Sequence, residues 1–535
     1  MCKTCTRIIL HKLHTLYLKF LRACLSSACK NKNKQINVEE YVDKGKLTKS
    51  LNENVELFKD IFSDDDTLTI RHMENQQNTA VKCCILFIDG MIDVAVVNDN
   101  IIQPVVQNSM LKSHGDVLAH IQNQVLVTNS LQKTSEVQSL VKAILSGDTV
   151  LFAEGSAEAL TISTKGVQSR AIEEPEAEKV VRGPREGFTE PLMTNLSLIR
   201  NKLVTPDLKF KFLTVGSKSG TKICICYLKS IANHKILNEL YKRLDSIEID
   251  GVMGSGSIAE LIKDAAFSPL KTVGSTERPD VVAGKLLEGR IAILMDGTPV
   301  ALTVPHIFVE YFQANEDYYI NFYFSTISRL LRIIGFMLTV SVPAIYVALM
   351  TFHQEMIPTP LLISISAARQ GVPFPTIVET LLLLIVFEIL RETGTRMPTN
   401  IGQALSIVGA LVLGQASVEA KIVSAPIVIV VAISGITSLI IPRIQGTALI
   451  LRVIFLLLTS LLGFYGLIFG ITGFLLHLCQ IRSFGVPYML YLTSLDPGDL
   501  KDTIVRAPLW YMNNRPKLIA VNNNKLRQGG GDKKT

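Results

Sequence analysis

Charge is scarce where this chain is most apolar. From residue 326 to about 480 of the 535, charged residues are sparse and Leu, Ile and Val dominate. A run of that kind excludes a wholly soluble protein and predicts a membrane region. The first 325 residues lack such a run and mix charge with apolar residues as a soluble region does, so the overall 48% hydrophobic and 19% charged content averages two unlike parts.

A disulfide framework is also missing. The nine cysteines are scattered, as in a reducing compartment. Cys2, Cys5, Cys24 and Cys29 have a spacing that could hold zinc, but the stretch between them has a helical apolar pattern rather than a compact ribbon, so free thiols and no metal are expected. There is no HExxH motif and no nucleophile elbow. The histidines are dispersed, with His353 and His477 near span ends, and no enzyme or cofactor is predicted. "GSKSGTK" misses the order of a phosphate loop because Thr221 separates Gly220 from Lys222, and "GVMGSGS" misses the dinucleotide pattern; both read as turns.

The N-terminus contains no clean secretory signal. His11, Lys12, His14 and Lys19 interrupt its apolar stretch, and residues 1–37 read as a basic, Cys-containing amphipathic segment on an inner membrane surface. The net charge of +7 clusters at the two ends. Without an aromatic stacking platform it points to anionic lipid rather than nucleic acid.

Residues 38–170 form the first soluble block. "VELFKDIF" and "SEVQSLVKAIL" predict helices, "VKCCILFIDGMIDVAVV" a strand, an Asp-Gly turn and a second apolar run, and "TVLFAEGSAEALTIS" a hairpin. Residues 191–325 are a second mixture: "TKICICYL" a strand, "NHKILNELYKRLDSI" and "GSIAELIKDAAF" helices, and "GRIAILMDGTPVALTV" a hairpin. Two α/β subdomains follow from this alternation. Between them lies a charged segment, 171–190, with Pro175 and Pro184, readable as a plain connector. Leu192, Leu196, Ile199 and Leu203 then mark one face of a helix, with Thr189 as the expected cap.

In the membrane region (326–480), apolar segments at 330–350, 377–390, 401–417 and 422–441 predict spans. The run 448–479 is either one tilted helix or a hairpin, so five to six helical segments are expected. "MIPTPLLISISAARQGVPFP" brackets a helix too short to cross. Arg329 and Arg332 place the soluble region on the cytoplasmic side, and the basic tail 481–535 points to the same side. Glu379, Glu388, Glu392 and Glu419 are costly in lipid and must pair or face water. Ion pairing to Arg391 or Arg396 and a water-filled cation path both remain open. Gly402, Gly409 and Gly414, and Gly463, Gly466, Gly470 and Gly473, suit close helix packing, a feature that a self-associating bundle with a central pore would use as well.

Five ordered motifs then resemble the A-subunit of the GerA-type spore germinant receptor family: "EPEAEKVVRGPREGFTEPLMTNLSLIRNKL", "TERPDVVAGKLLEGRIAILMDGTPVALTVP", "HQEMIPTPLLISISAARQGVPFPTIVET", "FEILRETGTRMPTNIGQALSIVGALVLGQASVEAKIVSAP" and "SFGVPYM". The resemblance spans about 38–510. It implies an α/β two-subdomain soluble N-terminal region followed by a polytopic α-helical membrane domain. It also implies location in the spore inner membrane with the soluble region facing the core. The implied partners are a transporter-like B-subunit, a lipoprotein C-subunit and further copies of the chain, and the implied action is nutrient-triggered release of monovalent cations. Arg182, Gly183, Pro184, Arg185 and Glu186 match the family's segment between subdomains, a hinge that would carry the signal. A family paralogue tied to dipicolinate release and a non-conducting scaffold are the alternatives.

Overall fold

The computed structural model describes residues 46–108, 117–126, 131–166, 174–175, 178–396, 414–490, 502–512, 515 and 519–520. The chain divides into two compact units, one from the first 168 residues and one from most of the remainder. The N-terminal segment 1–37 with its cysteines, Gly402, Gly409 and most of the expected span 401–417 lie outside the described residues.

In the first unit, α1 (Leu51–Ile61) begins at Ser50, whose side chain accepts the Glu53 N–H. There follow β1 (Leu68–Glu74), β2 (Lys82–Ile88), short helical segments over 94–107 and 117–125, β3 (Leu131–Thr134), α2 (Val137–Leu145), β4 (Thr149–Ala153) and β5 (Ala159–Ile162). The strands pair only antiparallel, in the order β1-β2-β4-β5-β3. Alternation assigns each side chain its face. Cys84, Leu86, Val150 and Phe152 pack with α1 and α2, while Cys83, Ile85, Leu151 and Ala153 pack beneath the short helices.

The second unit opens with the same plan. It has α3 (Leu192–Lys202), β6 (Leu208–Val215), β7 (Thr221–Leu228), α4 (His234–Asp245), α5 (Ser255–Ile262), β8 (Gly274–Thr276), α6 (Pro279–Leu287), β9 (Ile291–Met295) and β10 (Ala301–Val304). The sheet order is β6-β7-β9-β10-β8, the first order moved on by one full sheet, again all antiparallel. The correspondence reaches single residues. Residues 137–162 and 279–304 align without a gap, so Gly147 meets Gly289 and Gly155 meets Gly297, all four at positive φ. Ala159-Leu160-Thr161 recurs as Ala301-Leu302-Thr303. The N–H of Leu51 donates to the Glu154 carboxylate at 3.0 Å, and that of Leu192 to Asp296 at 3.0 Å. An acid from the hairpin turn therefore caps the first helix of each sheet. This corrects the expected cap of α3: Thr189 instead donates its N–H to Asn195 at 2.8 Å, and Pro191 at the cap position has no side-chain oxygen to offer.

One strand-like contact has changed owner between the repeats. In the first, Ile92 bridges Lys165, just beyond β5. In the second, the chain leaves β10 for a turn at Phe308–Phe312, and Ala232 is bridged by Ala520 from the C-terminal tail. Ile519 and Ala520 are fully buried.

Beyond the sheet come α7 (Phe322–Thr351), α8 (Thr359–Arg369), α9 (Thr376–Arg396), α10 (Ala425–Leu439), α11 (Gln445–Leu462) and α12 (Phe464–Gln480). Among the described residues two helical stretches, Phe322–Thr351 and Pro442–Leu462, are long and apolar enough to cross a membrane by length and composition. α10 and α12 are apolar but shorter. α9 has the length, at 21 residues, but carries Glu379, Glu388, Arg391, Glu392 and Arg396. The run expected over 448–479 is two helices, broken at Gly463, whose φ of 59° with ψ of −139° favours glycine. Gly466 lets them close into a hairpin: a Cβ there would stand 2.1 Å from the Leu458 carbonyl oxygen. Buried Phe336, Val340, Ile427, Ala448 and Phe455 form the core of this bundle.

A chain ending at Met512 would uncover the apolar site that Ile519 fills. Burying one such side chain contributes about 1.5–3 kcal/mol, so the truncated protein is expected to melt at a lower temperature than the full chain. An unchanged melting profile would show that the tail contact does not support the second sheet.

Candidate functional site

Two of the motifs quoted above, far apart in sequence, meet in the second unit. Glu178 accepts hydrogen bonds from the Thr276 hydroxyl (2.6 Å) and the Glu277 N–H (3.2 Å), and its backbone carbonyl accepts from Arg278 (3.2 Å). Arg278 also donates to the Pro184 carbonyl, and the Phe188 N–H donates to the Glu277 carbonyl at 2.8 Å. Arg278 is completely buried and pairs with Asp280 through two contacts, at 3.2 and 3.1 Å. Asp280 in turn accepts from Asn315 (2.7 Å) and the Tyr319 hydroxyl (2.8 Å), just ahead of α7. Burial works against ionisation of Asp280, but these donors outweigh it and hold its carboxyl below the usual range. Burial and the same carboxylate push the Tyr319 phenol up to about 12.

The charged segment therefore reaches the apolar helices directly. Glu178 pairs with Arg443, ahead of α11, at 2.9 Å, and the Val181 N–H donates to Glu316. Gly183, at a φ of 127°, lies against the Tyr319 ring, where a Cβ would come within 2.9 Å.

The five hinge residues expected from the sequence fare differently. Gly183 and Pro184 make the contacts just described. Arg182 is exposed. Arg185 is mostly exposed and stands 3.9 Å from Glu174, while Glu186 pairs with Lys202 at 2.6 Å. The buried charge of the junction is Arg278, with the half-buried carboxylates of Glu178 and Asp280 around it. Glu178 and the TERPD run were visible as motif residues, but nothing local in the sequence pairs them.

Two further ionic clusters flank this one. Glu310, in the turn after β10, accepts from Arg290 (2.6 Å) and Lys285 and lies 3.2 Å from His306. Burial disfavours its charge, yet Arg290, Lys285 and His306 together hold its carboxyl well below the usual range. At the start of α7, buried Asp317 accepts from Arg329 (2.9 Å) and from Arg332 (2.9 and 3.0 Å). Arg329 also reaches Asp502 of the tail at 2.7 Å. The SFGVPYM motif closes the assembly: Ser483 donates to the Thr272 carbonyl and Tyr488 to the Lys271 carbonyl, each at 2.7 Å.

The four carboxylates of the expected ion path do not form one file. Glu379 is fully buried, accepting from Arg369 (3.2 Å) and from the Ser424 N–H (3.2 Å) and hydroxyl (2.9 Å). Glu388, about 13 Å further along α9, lies 2.6 Å from Arg391 and 3.3 Å from the buried Arg452 of α11. Glu392 is exposed beside Arg396, and Glu419 is exposed beside Gln415. No group of three His, Cys, Asp or Glu side chains that could hold a metal occurs among the described residues. What the arrangement can do is mechanical and electrostatic. It ties the second sheet to the ends of apolar helices through buried and half-buried, mutually compensated charges.

Comparison with known proteins gives the family. The model of the family described as Bacillus/Clostridium GerA spore germination protein matches residues 56–518. Spore germination protein KA of Bacillus subtilis is 42% identical over 486 residues, covering 90% of this chain and 89% of its own. The Bacillus subtilis protein named uncharacterized membrane protein YfkQ is 41% identical, covering 82% of this chain and 86% of its own. Spore germination protein GerLA of Bacillus cereus is 34% identical, covering 90% and 98%.

The lowered Glu310 carboxyl has a defined pH signature. Its stabilising contribution is fully present above the ordinary carboxylate pKa of about 4.3 and is lost as pH falls through the lower folded value. Denaturant unfolding of Glu310→Gln is therefore expected to show a shallower loss of stability than the native protein as pH falls below about 4.3. Parallel curves for the two proteins would remove Glu310 from the acid response.

Proposed function

The chain belongs to the GerA family of Bacillus and Clostridium spore germination proteins, and from that premise we propose that it is the A-subunit of a nutrient germinant receptor in the spore inner membrane. On this reading α7 and the helices after it make up a polytopic membrane domain, with the soluble units on the core side. A transporter-like B-subunit and a lipoprotein C-subunit complete the receptor, and copies of this chain associate into a ligand-gated channel for monovalent cations. The observation that carries the reading is the convergence of the family motifs where the sheet of the second unit meets the apolar helices. A signal passing between a soluble domain and a pore needs a stiff joint at that place. Residues 178–190 supply one, touching the sheet through Arg278 and the helix entrances through Tyr319 and Arg443. The membrane assignment draws further support from the related Bacillus subtilis protein whose name calls it a membrane protein.

Spores lacking the gene are expected to lose potassium release in response to one class among amino acids, sugars, nucleosides and salts, with recovery on complementation. Unchanged release for every class would overturn the receptor assignment.

Ion conduction has its own test at Glu388, the partly buried acid facing Arg452 across two helices. Glu388→Gln leaves a buried arginine short of compensation and is expected to alter conductance or cation selectivity of the reconstituted receptor. Native conductance, selectivity and gating in that variant would exclude Glu388 from permeation.

A further inference from the structure

Among the described residues Phe267 is the most exposed large apolar side chain of the second unit, at 103% relative exposure, yet the loop that carries it is tightly held. On one side, the Ser268 hydroxyl lies 2.9 Å from His477 Nε2 in the last turn of α12. The Pro269 carbonyl accepts from Thr447 in the first turn of α11 at 2.7 Å. On the other, the Lys271 N–H donates to the Tyr311 hydroxyl at 2.8 Å, and its carbonyl accepts from Tyr488. Leu270, between these anchors, is buried in the core of the apolar helices. An ordinary surface loop has no need of so many anchors to hold one phenyl ring in water.

The surroundings identify what receives it. Leu475 and Leu476, next to His477, are themselves 49% and 68% exposed on α12, and Ile450 is exposed beside Thr447 on α11. The apolar surface of the helices thus continues to the point where the loop is fastened. Lys271 and Arg482 are exposed beside it, the latter adjoining Ser483, which is bonded to Thr272. Apolar projection with basic flanks is the composition of a segment seated at the headgroup boundary of an anionic membrane.

We propose that residues 264–271 form a membrane-interface anchor, with the Phe267 ring inserted at the headgroup–acyl boundary of the leaflet facing the soluble domain and Lys271 and Arg482 beside anionic headgroups. The partner is a lipid surface. The anchor rests on the reading that the apolar helices cross a membrane, and it would fix the height of the second sheet above that membrane.

The test uses the full chain in nanodiscs of phosphatidylcholine and phosphatidylglycerol. Trp510, the one native tryptophan, is replaced by Phe, and Phe267→Trp or Leu476→Trp is added singly. With lipids brominated near the headgroup end of their acyl chains, Phe267→Trp is expected to lose emission, as a ring at that boundary should, and to resist aqueous iodide. Quenching of Leu476→Trp but not Phe267→Trp overturns the anchor while leaving the membrane reading standing. Quenching of neither overturns both. Emission from Phe267→Trp that is shielded from iodide and lipid alike would mean that a protein surface covers the ring, which also rejects the anchor.

Discussion

A guanidinium group removed from water must recover nearly all of its hydrogen bonding from protein, because an uncompensated buried charge costs several kcal/mol. Arg278 meets that demand with groups from three places: the carbonyls of Glu178 and Pro184, and the carboxylate of Asp280. Asp280 then passes the constraint on to Asn315 and Tyr319. The path of the charged segment, the first turn of α6 and the approach to α7 thus become one problem with one solution. Moving any of the three leaves a buried charge exposed to apolar surroundings without water.

The junction has an apolar core as well, with Phe308 and Phe312 packed on Phe336 of α7, but its ionic pairs add a directional fixing that such a core lacks. An apolar seam tolerates sliding, since dispersion contacts are weakly directional. Paired arginine and carboxylate groups fix both distance and angle. Asp317 held by two arginines of α7, and Glu310 held by Arg290 and Lys285, add the same directional fixing on either side. These pairs fix the position of the sheet's last turn and the approach to α7 in both distance and angle.

Much of the fold was legible in local pattern. Apolar runs such as Cys83 to Ile88 and Ile223 to Leu228 predicted strands, and the Glu-Gly and Asp-Gly turns marked the two hairpins. The duplication is harder to read. The two segments align residue for residue from α2 and α6 through the hairpins, but few identities survive, and the matching sheet order is what exposes them. The site was less legible still. Arg182 and Arg185 stand beside a Gly-Pro turn, but the buried contact that this turn makes runs through the Pro184 carbonyl, which every residue possesses and no composition reveals. The partner of Glu178 lies about a hundred residues away and that of Arg329 further still. Such pairings depend on how elements stack, not on spacing along one helix or strand.

The duplication also bears on how the second unit differs from the first. Both sheets need a segment to cover the edge of the turn near Gly147 or Gly289, and the first takes it from residues immediately following β5. The second cannot, because the chain after β10 is committed to Glu310 and the entrance of α7. Its cover comes from Ile519 and Ala520, after the chain has passed through every apolar helix. The second sheet is therefore complete only when the beginning and end of the helical bundle are both in place. The second copy of the module is in this way completed by a segment that follows the bundle in sequence, so the stability of the sheet depends on chain that the first copy never needed.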